Sequence, residues 1–339
     1  MKIITEEILT EFIKKYGFKQ FLMDLMKVIK QDFSRWDEFN IIPRPAMHVP
    51  GGVLELMPVC DNQFYAYKYV NCHPENIKCN LATVVATGQL SRIDTGYPIM
   101  FSEMTLLTAL RTAATTAIAT DLMSRKNSKI LAMIGTGAQS EFLVNAISMV
   151  RNISEIRYFD IDESAMDKFE ENLEGSGLKL VRCQNAEDAV LKADIITTCT
   201  ACRAHVDVLK NAWIKPGVHI NGIGGDSEGK TELEFSILSR CKIVVEYFDQ
   251  CVIEGEIQRY NREEAKKKVL AELHELITGK KQIRSSDDEI TMYDAVGIAL
   301  EDFSALSFLY EMSEKYNFGE NLNFTPNISN PKNLISMIL

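Results

Sequence analysis

No run of apolar residues in this 339-residue chain approaches the roughly 18 that a membrane-spanning helix requires. A membrane is therefore not expected as a partner. Positive charge is also scarce. Lys and Arg number 37 against 47 Asp and Glu, for a net charge of −10, and the pI is near 5.2. That balance argues against nucleic acid and anionic lipid, both of which select basic surfaces. The stretch MKIITEEILTEFIKKYG at the amino terminus lacks the apolar core and cleavage site of an export signal and reads as an amphipathic helix. A cytoplasmic location is expected, with the eight cysteines as reduced thiols. Cys199 and Cys202 form a CxxC, but no second pair and no suitably spaced histidines accompany it. Cys72 and Cys79 have only His73, followed by Pro74, nearby. No metal is expected. Cys199 closes an apolar strand (DIITTC), where Cys packs as a small hydrophobe. Repeats and low-complexity tracts are also missing.

What is present is most informative between Lys129 and Asp160. KILAMI (129–134) is a short apolar run of strand type, Gly135-Thr-Gly137-Ala-Gln-Ser140 follows at once, and Glu141–Val150 reads as an amphipathic helix. A second strand, Glu155–Phe159, ends in Asp160. The chemistry explains the layout. Gly135 permits a sharp turn, and Gly137 lets backbone amides approach a pyrophosphate at the helix N-terminus. Ser140 replaces the third glycine, at a position that needs only a small residue for close packing. Asp160 can bond both ribose hydroxyls and would repel a 2′-phosphate, so NAD is expected over NADP.

The length suggests two domains. Residues 1–40 read as two helices, with apolar positions spaced by three and four over Phe18–Phe39. VLELMPV, FYAYKYVN, ATVVATGQLSRI and YPIMFS read as consecutive strands joined by short turns, hence an antiparallel sheet. Glu103–Met123 is a long Ala- and Thr-rich helix. From Lys129 to about Ala295 strands alternate with helices, with Ala193–Cys199, Gly217–Ile223 and Ile243–Glu246 among the strands. A last helix is expected over Tyr293–Glu314, before a tail that returns to the first domain. The fold class is therefore α/β, a Rossmann-type doubly wound parallel sheet plus an α+β substrate-binding and dimerisation domain. The division is 1–122 with 315–339, and 123–314 for NAD binding.

Ligands of open α/β sheets sit outside the carboxyl ends of the strands. The loops after Cys199 (TACRAH) and after Ile223 (GGDSEGKTEL) thus lie at the nicotinamide end. Asp226 puts a carboxylate on the second loop, four residues before Lys230, as a proton acceptor and donor or, alternatively, as the cap of a helix near Leu233. In the first domain Arg44 lies among prolines, Lys68 in an aromatic strand and Arg111 in the Ala/Thr helix. Cations in half-buried elements need an anion, either a substrate carboxylate or pyrophosphate, or a structural partner such as Glu55 or Glu103.

VLELMPV (53–59), YKYVNCHPEN (67–76), SEMTLLTALRTAATT (102–116), GTGAQSEF (135–142), GGDSEGKTEL (224–233) and EGEIQ (254–258) together resemble the ornithine cyclodeaminase/mu-crystallin family, nearest its bacterial cyclodeaminases, over almost the whole chain. The resemblance implies a homodimer joined through the first domain, NAD held by the second, and L-ornithine converted to L-proline and ammonia without net redox change. It implies that Arg44 and Lys68 hold the substrate carboxylate and that Arg111 lies on the cofactor phosphates. Glu55 and Asp226 match the carboxylates facing the side-chain amine and the reacting carbon, with Asp226 the proton donor and acceptor. Thr83, Gly135, Gly137, Ala138, Gln139, Asp160, Thr200, Asn221, Gly222, Ile223, Gly224 and Lys230 match cofactor contacts, and Val296 a residue lining the substrate pocket. Ala295 stands where the family carries a small polar residue. A cyclodeaminase for lysine, a net imine reductase or amino-acid or opine-type dehydrogenase, and a non-enzymatic crystallin-like binder are the other members the resemblance admits.

Overall fold

Residues 1–202 and 204–339 are described by a computed structural model; Arg203, within the TACRAH loop, lies outside them. The chain opens with β1 (Lys2–Ile4), α1 (Glu6–Tyr16) and α2 (Phe18–Ser34). Thr5 caps α1 by accepting from Ile8 N, and acids in its first turn with lysines in its last suit the helix dipole. Strands β2 (Asn40–Ile41), β3 (Ala46–Val49), β4 (Gly52–Cys60), β5 (Phe64–Cys72), β6 (Val84–Arg92) and β7 (Pro98–Glu103) follow. They form one sheet with β1 and with β18 (Glu320–Asn321) from the tail. Residues Glu320 and Asn321 of the tail thus lie antiparallel to β1 in this sheet. The sheet is antiparallel except at its edge, where β1 runs parallel to β7. Neither β1 nor β3 was expected from the sequence.

Two-residue alternation governs what this sheet presents. Val53, Glu55, Met57 and Val59 of β4 point inward, as do Ala66, Lys68 and Val70 of β5. Glu55 pairs with Val70 and Met57 with Lys68, so Glu55 and Lys68 are diagonal neighbours on the buried face. A carboxylate and an ammonium thus enter an otherwise apolar interior by register alone.

Helix α3 (Thr105–Met123) begins where the Glu103 carboxylate accepts from the amides of Thr105 and Leu106. Glu103 is therefore a cap and no partner of the cations. Small Ala and Thr side chains allow α3 to pack closely against β6 on one side and against the second sheet on the other. That sheet is formed by β8 (Ile130–Ile134), β9 (Glu155–Phe159), β10 (Lys179–Arg182), β11 (Ile195–Thr198), β13 (His219–Gly222), β15 (Cys241–Val245), β16 (Val269–Glu272) and β17 (Ile290–Asp294). The order is β10-β9-β8-β11-β13-β17-β15-β16, with every pair parallel. A two-stranded parallel ribbon, β12 (His205–Leu209) with β14 (Thr231–Leu233), stands at its carboxyl end. The connecting helices include α4 (Ser140–Val150), α5 (Glu163–Leu173) and α6 (Ala186–Val190), then α7 (Phe235–Leu238), α8 (Phe248–Glu254), α9 (Arg262–Lys268) and α10 (Leu273–Ile277). The fold is thus α/β, a doubly wound parallel sheet beside a separate, mainly antiparallel one. Its topological switch lies between β8 and β11.

One expectation fails at the last helix. Tyr293 and Asp294 end the central strand β17, and α11 starts only at Ala299 and runs to Tyr316. Helix α11 packs on α2, β4, β5 and β6, which is the interior of the first domain. We therefore propose that the chain re-enters that domain near Ile298, ahead of the boundary at 315 read from the sequence.

Candidate active site

The carboxyl ends of β8 and β11 make the crevice. Gly135 has φ +98°, and a Cβ there would come within 2.7 Å of the Cys199 carbonyl, so only glycine permits the turn and the approach of the two loops. Gly137 has open space around its Cα. The Gln139 Oε1 beside it is buried and has no partner among the described residues. Asp160, at the end of β9, accepts from Thr136 N at 2.7 Å and so faces the glycine loop. An acceptor at the second strand end, an open glycine and an orphaned amide oxygen before α4 all fit a dinucleotide. Ala138 lies in the same loop.

Around the second loop, Lys230 donates to Asp226 Oδ1 at 2.8 Å. Beyond Asp226 the chain makes a turn and enters β14, and the short α7 has Glu234 at its N-cap position. Asp226 therefore caps no helix. Arg44 reaches in from the first domain. It donates to the Asp226 carbonyl at 2.8 Å and the Val296 carbonyl at 3.3 Å, and pairs with Glu55 at 3.2 Å and Glu254 at 2.6 Å. Burial opposes the Arg44 charge, but Glu254 and Glu55 outweigh it and hold the guanidinium protonated. The Glu55 carboxyl is pushed above its usual range, chiefly by burial, with Arg44 opposing and Glu254 and Asp226 adding. A carboxyl so placed is suited to proton exchange.

Behind this group lies a second cluster. Lys68, 1% exposed, pairs with Asp302 at 2.9 Å. Arg111 pairs with Glu301 at 2.6 Å and Asp302 at 3.0 Å. The expectation that Arg111 rests on cofactor phosphates meets this arrangement: its guanidinium is already bound to two buried carboxylates. Burial brings Lys68 down to about 8, Arg111 adds to the fall, and Asp302 opposes it.

The structure thus brings Arg44, Glu55, Asp226, Lys230 and Val296 together, with Lys68 and Arg111 adjacent. It places other expected contacts differently. The Asn221 side chain is fully engaged inside the sheet with Thr120, Thr197 and His219, and its backbone lies in the ladder between β11 and β17. Thr200 donates its amide to Glu232 at 2.6 Å. Thr83 stands at the entry to β6, its carbonyl accepting from His73 N. Gly222, Ile223 and Gly224 run from the end of β13 into the Asp226 loop, and a Cβ on Gly224 would overlap the Glu232 carboxylate.

Sequence reading missed a set of buried acids. Glu246 accepts from the amides of Val296 and Gly297 at 3.0 and 2.7 Å. Asp294 accepts from those of Glu256 and Ile257 at 2.9 and 3.1 Å. Glu256 accepts from those of Glu232 and Leu233 at 2.7 and 3.2 Å, and Glu232 in turn holds Thr200. Each carboxylate pins the next loop, in a chain from the Thr200 loop to Val296 beside Arg44. The signal available was the EGEIQ block, together with the acid pair Glu301-Asp302 inside an apolar helix. Among the described residues no group of three His, Cys, Asp or Glu could hold a metal ion. The Cys199 thiol lies against the Gly135 carbonyl, and burial pushes its pKa up.

The ornithine cyclodeaminase/mu-crystallin family profile matches residues 9–317. An ornithine cyclodeaminase of Agrobacterium fabrum is 44% identical over 336 residues, 99% of this chain and 94% of its own length. An archaeal alanine dehydrogenase dimer solved with bound NAD superposes with a TM-score of 0.88 at 32% identity, over 96% of this chain and 99% of that one. A Thermococcus litoralis Δ1-pyrroline-2-carboxylate reductase solved with NADH and L-proline has a TM-score of 0.88 at 29% identity, over 95% and 100%. Coverage of this extent, over both sheets and the residues between them, means that the chain belongs to the ornithine cyclodeaminase/mu-crystallin family.

Proposed function

We propose that the protein is an NAD-dependent ammonia-lyase, an ornithine cyclodeaminase that converts L-ornithine to L-proline and ammonia. The observation that carries this reading is the Arg44 junction. One guanidinium meets Glu55, Glu254, the Asp226 loop and Val296, with a second cation, Lys68, close behind. Two cations suit a substrate carboxylate, and acidic groups in excess of them suit a substrate with a second amine. Identity of 44% to the A. fabrum enzyme over 99% of the chain supports the same substrate.

Gly135, Gly137, Ala138, Gln139 and Asp160 would hold the adenosine and pyrophosphate end of NAD, with Thr200, Lys230 and the 221–224 segment toward the nicotinamide. When bound, NAD supplies a hydride acceptor that returns what it takes, which makes the conversion redox-neutral. The chain's own residues handle protons and position. Arg44 and Lys68 fix the substrate carboxylate. Asp226 removes a proton from the α-amine and returns one to the departing nitrogen. Glu55 faces the δ-amine, whose attack on the α-carbon closes the ring. With L-ornithine and a catalytic amount of NAD+, proline and ammonia should appear in equal amounts. Accumulation of NADH, or no turnover of ornithine, would refute this reading and leave a net dehydrogenase or a lysine cyclodeaminase.

Asp160 yields a prediction on cofactor choice. NAD+ should bind far better than NADP+. Asp160→Ala should weaken NAD+ by about 1.5–3 kcal/mol, the worth of a charge-assisted hydrogen bond, and narrow the gap to NADP+ in a binding titration. Equal affinity of the unaltered protein for the two cofactors would contradict the role.

We also propose a cytoplasmic homodimer that contributes to proline formation. Among the described residues no helix is long and apolar enough to cross a membrane. The outer face of the first sheet exposes Met47, Leu56, Tyr69 and Val85, and Leu56 and Tyr69 are directly paired across strands. Apolar side chains grouped on one sheet face mark an association surface. Sedimentation equilibrium should give at least twice the 38.3 kDa of one chain. A strict monomer at micromolar concentration rules this out.

A further inference from the structure

We propose that Asp302 is a positioning residue for the reaction: it holds the Lys68 and Arg111 cations side by side so that Lys68 meets the substrate as an ammonium. The inference rests on the ornithine reading, in which Lys68 binds the substrate carboxylate.

Lys68 is 1% exposed and Arg111 4% exposed, and they come from different layers, β5 and α3. Two like charges buried together repel, and neither can be hydrated. Asp302 Oδ1 accepts from both, at 2.9 Å from Lys68 Nζ and 3.0 Å from Arg111 Nε. It arrives from α11, the helix that covers the buried face of β4 and β5. Arg111 has a second acid, Glu301, on its Nη1 at 2.6 Å. Lys68 has Asp302 as its ion-pair partner among the described residues. The other charged groups facing Lys68 are Glu55 on β4 and Arg44 just before β3, with Arg111 on α3 and Glu301 beside Asp302 on α11. Glu55 is itself committed to Arg44. The balance at Lys68 therefore turns on Asp302. Burial and Arg111 already bring the lysine to about 8, with Asp302 as the main opposing influence. Without that carboxylate the lysine would be neutral at ordinary pH and could not pair with the substrate.

The test is the pH profile of the KM for L-ornithine in Asp302→Asn, expressed as a ratio to wild type so that titration of the substrate cancels. The substitution keeps the shape of the side chain but not its charge. A fall of one pKa unit at Lys68 makes the ratio about fivefold at pH 8 and about tenfold at higher pH, and a larger fall makes it greater. It should return to within a few-fold near pH 6, where the lysine regains its proton. In Lys68→Arg/Asp302→Asn the ratio to Lys68→Arg should be flat with pH, because arginine does not titrate there. A ratio for Asp302→Asn that is the same at all pH values would show a merely structural role and overturn the proposal. If Asp302→Asn does not fold, melting of Lys68→Met/Asp302→Asn decides. Recovery of folding when both charges are removed supports Asp302 as the counter-charge of Lys68, and failure to recover rejects it. Absence of ornithine turnover by the wild-type protein would instead reject the substrate reading.

Discussion

Asp226→Asn is expected to lower kcat by about 10²–10⁴-fold, the usual worth of a positioned general acid–base, while melting temperature and NAD+ affinity change little. The geometry explains why the loss should be confined to chemistry. Arg44 is held by the Asp226 backbone carbonyl, which the substitution keeps. Lys230 donates to Oδ1, an asparagine oxygen still accepts there, and the lost ion pair costs little because the Asp226 side chain is nearly half exposed. What asparagine cannot do is take a proton from the substrate amine. The alternative role, a helix cap, has no helix to act on. Steady-state kinetics at saturating ornithine would decide. Near-normal turnover would remove Asp226 from the proton chemistry and leave Glu55, whose carboxyl burial already raises.

Arg44→Ala is expected to do two kinds of damage. Its guanidinium neutralises Glu55 and Glu254, all three side chains being less than a tenth exposed. Removing one partner of a buried ion cluster costs about 3–5 kcal/mol because the remaining charges are stranded, so the melting temperature should fall by many degrees. The KM for ornithine should also rise steeply. The stability deficit should depend on pH. Arg44 is the chief influence holding the Glu55 pKa down, so in the variant that pKa climbs further above its unfolded value. A carboxyl raised on folding stabilises fully below its unfolded pKa and loses that contribution as pH rises through the folded one. The gap between variant and wild type should therefore shrink on acidification toward pH 5 and widen toward pH 8. Arg44→Lys should recover stability more than KM, since lysine restores the charge but not the fork that reaches Glu55, Glu254 and the Asp226 loop together. A variant as stable as wild type with unchanged KM would mean that Arg44 anchors neither the acids nor the substrate.

The range of each interaction decided whether the sequence revealed it or hid it. Gly135, Gly137 and Asp160 were legible because a strand, a glycine turn, a helix and a strand end lie within one local unit, and the structure repeats that unit almost residue for residue. Lys68 was legible as an oddity within an aromatic strand and Glu55 as its possible partner, and period two decides that both enter the same face. Tyr293 was misread because TMYDAV is uniformly buried, and a segment buried on every side carries no period that separates strand from helix. Strand β1 is three residues long, too short for any pattern. The buried acids were hidden for a different reason. Asp302 meets Arg111 across 191 residues and Lys68 across 234, and Asp294 pins amides 37 and 38 positions away. In the sequence such residues look like ordinary surface charges; only the fold supplies their partners.

The central claim is that the hydrogen on the α-carbon of ornithine leaves and is restored to the same carbon, with no net oxidation. Turnover of L-ornithine deuterated at the α-carbon, in ordinary water with catalytic NAD+, followed by mass spectrometry of the proline formed, tests this directly. Retention of the deuterium at the ring α-carbon, with one ammonia per proline and no accumulated NADH, is the predicted result. Proline that has exchanged its label for solvent hydrogen, or an oxidised product in place of proline, would contradict the account.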